Sequence, residues 1–454
     1  MERKIKYIGF DGSTTALSAC AYTENGEMLF VSTPTQGATT WNGQPAFDLT
    51  KLPEMFELVL LNLEKQCDGF AKKGTLCLSW RQHDMVVLGE NGPLLPALSW
   101  QCNAATEETQ QLKSIGAEKI VGKIEERFIL PKLLWAIKKE PSTKEKIQWV
   151  FTTADYIAQI LTSHGYISTS DGLSNGILKQ SDKTLATRVF QKAGLEPLWF
   201  PNAIQSGQTY PYCVYEYSQI WPEIHKKLYS WKVIAGLGDN HASAVGCGLS
   251  NFGTIVVSAG SSGTVVRLAC NNAETQNRAV RFEFFNRRML LMMVADCATR
   301  FVRFAKEYGE GKSYNELDQL APEKWTLEFT EALKLNYKDA MQTLPSLGEK
   351  VSYVRYKIAS ELGELVVKLK NEIVNPRGQI KKIILTGGMT KSELFVKYLK
   401  SYLDFLQLPV YMLKGDIGSK AAPYGALITA MVGNKFFPDL KTAVKTMCPL
   451  EKIN

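Results

Sequence analysis

Two stretches of this chain have one form. "KIKYIGFDGSTTALSACAY" (4–22) and "GTIVVSAGSSGTVVRLAC" (253–270) each read as an apolar strand, a turn of small residues and a strand leaving. One copy lies near the start of each half. A repeat of this kind constrains the chain to two lobes built alike. The boundary is expected near residue 229, giving lobes at 1–229 and 230–432, with 433–454 crossing back to the first.

The pattern between the repeats is mixed α/β. Residues 52–68, 124–139, 143–162 and 351–374 have helical spacing. "TLCLSW" (75–80) and "MVVLGENGPLLPALSW" (85–100) read as strands around an Asn-Gly turn. "IKKIILTGGMTKSELFVKYLKSYL" (380–403) reads as strand, Gly-Gly turn and helix, and "AAPYGALITAMVG" (421–433) as a helix of small residues.

Composition narrows the function class. The 454 residues carry 45% hydrophobic and 22% charged side chains, a globular balance. The net charge of +8 is spread along the chain, with no basic block interleaved with aromatics, so nucleic acid is not expected as a partner. No apolar run approaches the length of a membrane span, and the apolar run of "MERKIKYIGF" is too short for a signal-peptide core. Nine scattered cysteines without a CxxC pair suggest reduced thiols and a cytoplasmic setting. Four histidines (83, 164, 225, 241) lack metal-ligand spacing.

Glycine and hydroxyl residues in tight turns suit phosphate, because backbone amides converge and nothing blocks close approach. "DGSTT" (11–15) and "AGSSGT" (259–264) have this chemistry, and "TGGMTKSELF" (386–395) joins a strand to a helix, a common nucleotide position. No GxxxxGK[ST] motif is present, which excludes a P-loop protein. Between the two halves stands "LGDNHASAVGCG" (237–248), with Asp239 between glycines. A carboxylate in such a turn is costly unless it is used or satisfied.

These segments, in this order and spacing, resemble the FGGY carbohydrate kinases, of the actin, hexokinase and heat-shock ATPase fold. The matching segments are "GFDGSTTALSA" (9–19), "GLGDNHASAVG" (236–246), "SAGSSGTVV" (258–266), "LTGGMTKSELF" (385–395) and "SKAAPYGALITAMVG" (419–433). The family's Gly-Glu-Arg-Thr-Pro type segment is absent, and "LEFTEALKLNYKD" (327–339) stands there instead. The resemblance implies an α/β fold of two ribonuclease-H-like lobes, each a mixed sheet flanked by helices, with a ligand cleft between them. It implies transfer of the γ-phosphate of ATP to a sugar hydroxyl, with Asp239 as general base and Mg²⁺ oriented by Asp11. Gly12, Ser13, Thr14 and Thr15 would face the phosphates from one side. Gly260, Ser261, Ser262, Gly263 and Thr264 would approach from the other, and Gly387, Gly388 and Met389 would cover adenine or ribose.

"SWRQHDMVVLGENGPLLPALSWQCNAATEE" (79–108) resembles the sugar-side segment of xylulokinases and glycerol kinases. It offers Gln82 and His83 for neighbouring hydroxyls and Trp80 or Trp100 for a sugar face; Asn240 adjoins the base. Asp171 in "STSDGLSNG" is expected to be structural. The acceptor class is a ketose or polyol, with sedoheptulose, xylulose, ribulose and glycerol open, and a sugar acid less favoured. The expected partner is that small molecule, with no membrane and a homodimer left open. The competing reading is an ATP-binding regulatory protein of the same fold with altered catalysis.

Overall fold

The computed structural model describes residues 2–215, 220–260, 262–270, 273–276, 278–284, 288–374 and 379–453. The chain divides into two compact units. The first comprises Met1–Gly246, Phe282–Arg287 and Lys420–Met447; the second comprises Cys247–Arg281, Arg288–Ser419 and Cys448–Asn454.

The first unit is built on strands β1 (Ile5–Gly12), β2 (Ala16–Thr23), β3 (Met28–Pro34), β4 (Phe70–Trp80), β5 (Thr209–Cys213) and β6 (Lys232–Gly238). Their spatial order is β5-β6-β4-β1-β2-β3. β1, β2 and β3 pair antiparallel, whereas β1, β4 and β6 run parallel. β6 therefore completes the first sheet, and the division falls at Gly246 rather than at the expected 229.

The second unit repeats the plan. β7 (Thr254–Ala259), β8 (Ser262–Cys270) and β9 (Arg288–Asp296) pair antiparallel, and β10 (Lys382–Thr386) and β11 (Val410–Leu413) extend the sheet in parallel from β7. The repeat seen in sequence is thus a repeat of topology. Residues up to Met447 return to the first unit, as expected of 433–454, but β12 (Leu450–Lys452) pairs with β11, so Cys448–Asn454 belong to the second unit.

Helices follow the apolar periodicity, with one exception. α1 (Leu52–Glu64) buries Met55, Phe56, Val59 and Leu60 with Ile8, Phe10, Leu76 and Leu78 of the first sheet. α2 (Ile129–Lys139) buries Leu130 and Leu133 with Met85, Val87 and Val150. The expected helix over 143–162 is instead a strand, Trp149–Thr152, followed by α3 (Thr153–Thr162). Trp-Val-Phe-Thr suits a pleated strand, and Thr152 then caps α3 by accepting from Asp155 N. α4 (Thr169–Ser174) and α5 (Asp239–Gly246) complete the acceptor side of the first unit. In the second unit, α6 (Ala298–Tyr308) follows β9, and α7 (Leu347–Lys370) packs Val354, Ile358 and Leu362 into that unit's core.

α8 (Ala421–Gly433) explains its small residues. A Cβ placed on Gly425 would lie 1.7 Å from the Ala242 carbonyl oxygen of α5, and one on Gly246 would lie 1.9 Å from that of Ala421. The β1 backbone is equally close, since a Cβ on Gly9 would meet Leu427 N at 2.0 Å. α8 therefore lies backbone to backbone against both elements that carry the candidate carboxylates. Overpacking a core commonly costs about 1–3 kcal/mol, and here the obstacle is backbone. Gly425→Ala should lower stability by about 3 kcal/mol, read as a shift in the urea midpoint at unchanged slope.

Candidate active site

The site is assembled at the carboxyl ends of the parallel strands of the first unit, where ligands bind in open α/β sheets. Asp11 closes β1 and lies in register with Ser79 of β4, whose hydroxyl donates to Asp11 Oδ1 at 2.8 Å. On the other side of β4, Gly238 of β6 is in register with Trp80, and Asp239 opens α5 directly after it. Two carboxylates thus flank one strand. Asp239 Oδ1 accepts from Asn240 N (2.8 Å) and Asn240 Nδ2 (3.2 Å). Burial pushes Asp239 up to about 6, against the Asn240 amide. Burial and the neighbouring Asp239 charge push Asp11 up to about 7.

The segment 81–84 forms the next layer, and its residues do different work from one another. Arg81 Nε donates to Asp84 Oδ2 at 2.5 Å, and Nη1 to Ser13 O at 3.1 Å. Its charge is spent on a buried partner. The Gln82 amide donates to Ser174 Oγ at 2.6 Å and is covered by Gly238. The Gln82 Nε2 donors are therefore spent inside the floor of the first unit. His83 stacks on Phe128 with centroids 4.7 Å apart and bonds Asn175 through Nδ1 at 3.0 Å. Burial, with the Arg127 charge beside it, pushes His83 down to about 3, so the ring is neutral. Trp80 is core, fully buried and stacked on Phe56, whereas Trp100 is partly exposed. Asp84 Oδ1 accepts from Trp100 N (2.8 Å), and Trp100 Nε1 donates to Thr14 Oγ1 (3.3 Å) on the first turn.

Several residues here had no sequence signal. Lys132 of α2 is fully buried, and its ammonium donates to the carbonyls of His83, Leu98 (3.0 Å) and Ser99 (3.1 Å). Three donors meet three acceptors, tying the His83 segment to the Trp100 segment. Arg127 donates to Glu125 at 2.7 Å and keeps a buried Nε without a hydrogen-bond partner. Its charge acts on both His83 and Asp239. His241, buried one turn into α5, lies 3.5 Å from the Gln82 amide, and burial lowers it to about 3. Asp171, expected to be structural, shares the Thr152 hydroxyl with Asp155 (3.4 and 2.9 Å).

The phosphate turns also take shape. Gly12 packs flat on the Trp80 ring, where any Cβ would clash at 2.0 Å. The Ser13 hydroxyl accepts from Ala16 N (3.0 Å) and Thr15 N (3.3 Å), which tightens the turn and leaves Thr14 and Thr15 exposed. In the second unit, Gly260 O accepts from Ala298 N at 3.0 Å, Ser262, Gly263 and Thr264 begin β8, and Ser261 lies outside the described residues. Gly387, at the end of β10, has φ +97°, and its Cβ position is 2.5 Å from the Ala259 backbone, so only glycine fits beside this turn. Open space surrounds Gly388. The Met389 side chain is buried in the core, with its sulfur 3.1 Å from Arg355 Nη1. A cavity of ≈ 330 Å³ in this unit is lined by Asp296, Arg300, Arg303, Tyr337, Tyr353 and Lys357, among others. It adjoins the second turn, because Asp296 is in register with Ser262.

The family model for the FGGY family of carbohydrate kinases, N-terminal domain, matches residues 6–246, more than half of the chain. The chain belongs to the FGGY family of carbohydrate kinases. Among relatives of this FGGY chain, a xylulose kinase from Lactococcus lactis is 26% identical over 328 residues, covering 68% of this chain and 63% of that protein. This alignment spans less than two thirds of the Lactococcus protein. Xylulose kinase from Lactobacillus acidophilus superposes with a TM-score of 0.81 at 17% identity, covering 98% of this chain and 93% of that one. Glycerol kinase from Plasmodium falciparum superposes at 0.79 with 13% identity, covering 98% and 92%. At these identities the two structures establish a shared two-unit fold and leave the acceptor open.

The donor set of this FGGY site suits magnesium. Asp11 supplies hard carboxylate oxygens, and no cluster of three or more His, Cys, Asp or Glu forms a closed cage among the described residues. Magnesium keeps several waters and takes one or two carboxylates. One prediction belongs to the acceptor layer. With its pKa near 3, His83 should stay neutral from pH 5 to 8, so its imidazole signals by NMR should not titrate there. A midpoint near 6.5 would refute the buried, Phe128-stacked placement.

Proposed function

We propose that the chain is an ATP-dependent carbohydrate kinase that phosphorylates a hydroxyl of a ketose or polyol, with Asp239 as general base. The observation that carries this reading is Asp239 itself, buried at the start of α5, raised by that burial to about 6 and so still ionised at neutral pH, with the Arg81 and Arg127 charges acting on it. A sugar hydroxyl is a weak nucleophile at pH 7. As its oxygen bonds to the γ-phosphorus and the bond to the ADP oxygen breaks, Asp239 takes the proton. Such transfer contributes about 10²–10⁴ in rate. Positioning and charge neutralisation supply most of the rest.

The other roles follow from what each group has left to give. His83 Nε2 and the unspent donors of Arg127 bind acceptor hydroxyls, Asn240 adjoins the base, and Trp100 offers its exposed ring. Both arginines of this layer already face carboxylates, Arg81 with Asp84 and Arg127 with Glu125. That neutralisation favours an uncharged acceptor over a sugar acid, and the relatives named xylulose kinase support a ketose. Thr14, Thr15, Gly260, Ser262 and Gly388 are the groups for the phosphates and ribose of ATP. The cavity beside Asp296 and Arg300 is of nucleoside size and is assigned to the base. Asp11 would hold Mg²⁺, in part through water, and the metal when bound would neutralise phosphate charge.

ADP release measured over a panel of ketoses, polyols and aldonates tests the reading; turnover with none of them would overturn it. Asp239→Asn should retain ligand binding and lose 10²-fold or more in kcat (roughly, for a general base). Near-normal turnover in that variant would remove Asp239 from its role. The base must be ionised, so kcat/KM should rise with pH through about 6 to 7, the range in which the Asp239–Asp11 pair titrates. An acid limb near 4 in the pH profile would show that the pair is not elevated.

A further inference from the structure

Asn175 follows α4 and is fully buried. Its amide is saturated. Nδ2 donates to Gln82 O (2.8 Å) and Asp171 O (2.9 Å), and Oδ1 accepts from Ile129 N (3.2 Å). Two carbonyls on one side and a backbone N–H on the other allow only one orientation of the amide. The remaining contact, His83 Nδ1 to Asn175 Oδ1 at 3.0 Å, then has one meaning. Oδ1 is an acceptor, so His83 Nδ1 carries the hydrogen.

We propose that Asn175 is a positioning residue that locks His83 as the Nδ1–H tautomer, so that Nε2 presents a lone pair to a hydroxyl hydrogen of the acceptor. The inference rests on the acceptor role given to His83 above and sharpens it. In a neutral imidazole one nitrogen donates and the other accepts, and the partner of the first decides the second. Among the described residues Nε2 has no protein partner. Phe128 on the ring face prevents the imidazole from turning to exchange its nitrogens. Lys132 holds the His83 carbonyl, so the backbone behind the ring is fixed as well. The consequence is a specificity rule. The acceptor must offer an O–H donor at this point; a carbonyl, carboxylate or fluorine there presents lone pair to lone pair. A site built to bond a hydroxyl rejects an analogue lacking it by about 10⁴ in favourable cases.

Two measurements need no variant. ¹⁵N NMR of the wild-type protein, with His83 assigned by comparison with His83→Gln, should show Nδ1 protonated and Nε2 bare at neutral pH; a protonated Nε2 overturns the inference whatever the activity. Within the set of accepted sugars, one deoxy and one fluoro analogue at the hydroxyl that meets His83 should both lose about 10²-fold or more in kcat/KM. Full rescue by fluorine, which accepts but cannot donate, overturns it. Asn175→Leu removes the lock: the His83 tautomers should mix, and KM for the acceptor should rise about tenfold or more while KM for ATP stays within twofold. A rise shared equally by both substrates would mark Asn175 as structural only. His83→Ala separates the two levels, since a flat acceptor KM there refutes the acceptor role itself while leaving the tautomer result standing.

Discussion

Two carboxylates held on either side of one strand are the constraint on which the rest of the first unit depends. Asp11 and Asp239 lie at the ends of parallel strands that flank β4, and the Asp239 charge raises the cost of ionising Asp11. Like charges in a buried floor are tolerated only when donors and cations are supplied. The fold supplies them in order. Ser79 donates to Asp11, Asn240 donates to Asp239, and Arg81 lies close enough to lower both. Asp84 then balances Arg81, and Trp100 N and Lys132 answer Asp84 and the carbonyls beside it. Each layer exists to satisfy the one beneath it.

The parts legible in the sequence are those whose signals are local. The strand-turn-strand repeat, the glycine turns and the Asp239 turn each lie within a dozen or so residues, and each appears where expected. The directions of the Gln82 and Met389 side chains, both buried, were not legible, because sequence gives a residue's place on a loop and not where its side chain turns. Asn175, Arg127 and Lys132 were invisible for another reason. The partners of Asn175 and Lys132 are distant in sequence (Gln82 and His83), and so are the groups that the Arg127 charge acts on, His83 and Asp239; only the fold brings them together. A buried lysine on an apolar helix face reads as a surface lysine until three carbonyls are found around it. The boundary at 229 failed because β6 belongs by pairing to strands laid down long before it.

The balance of charge also separates recognition from catalysis. Arg81 and Arg127 are already paired to the chain's own carboxylates, so in the proposed reading they would orient a ligand through directed hydrogen bonds more than through net field. The neutral His83 fits this scheme, as a ring that contributes geometry without charge. Asp239, the base in the proposed reading, keeps an elevated pKa despite the Asn240 amide and the Arg81 and Arg127 charges, because it is buried.

The backbone contact of α8 with β1 and α5 sets an order of assembly. β1 leaves the ribosome first, yet Gly9 rests on Leu427 and Gly246 on Ala421. The helix that covers them is made only after nearly all of the second unit. During synthesis the first sheet must therefore wait, with an apolar face uncovered, while the chain builds another unit before returning. Domains ordinarily fold in turn from the N-terminus; here the first to be made is the last to be closed. An interrupted chain ending at Gly246 would contain every acceptor-side residue and lack the helix that holds Asp239 in line.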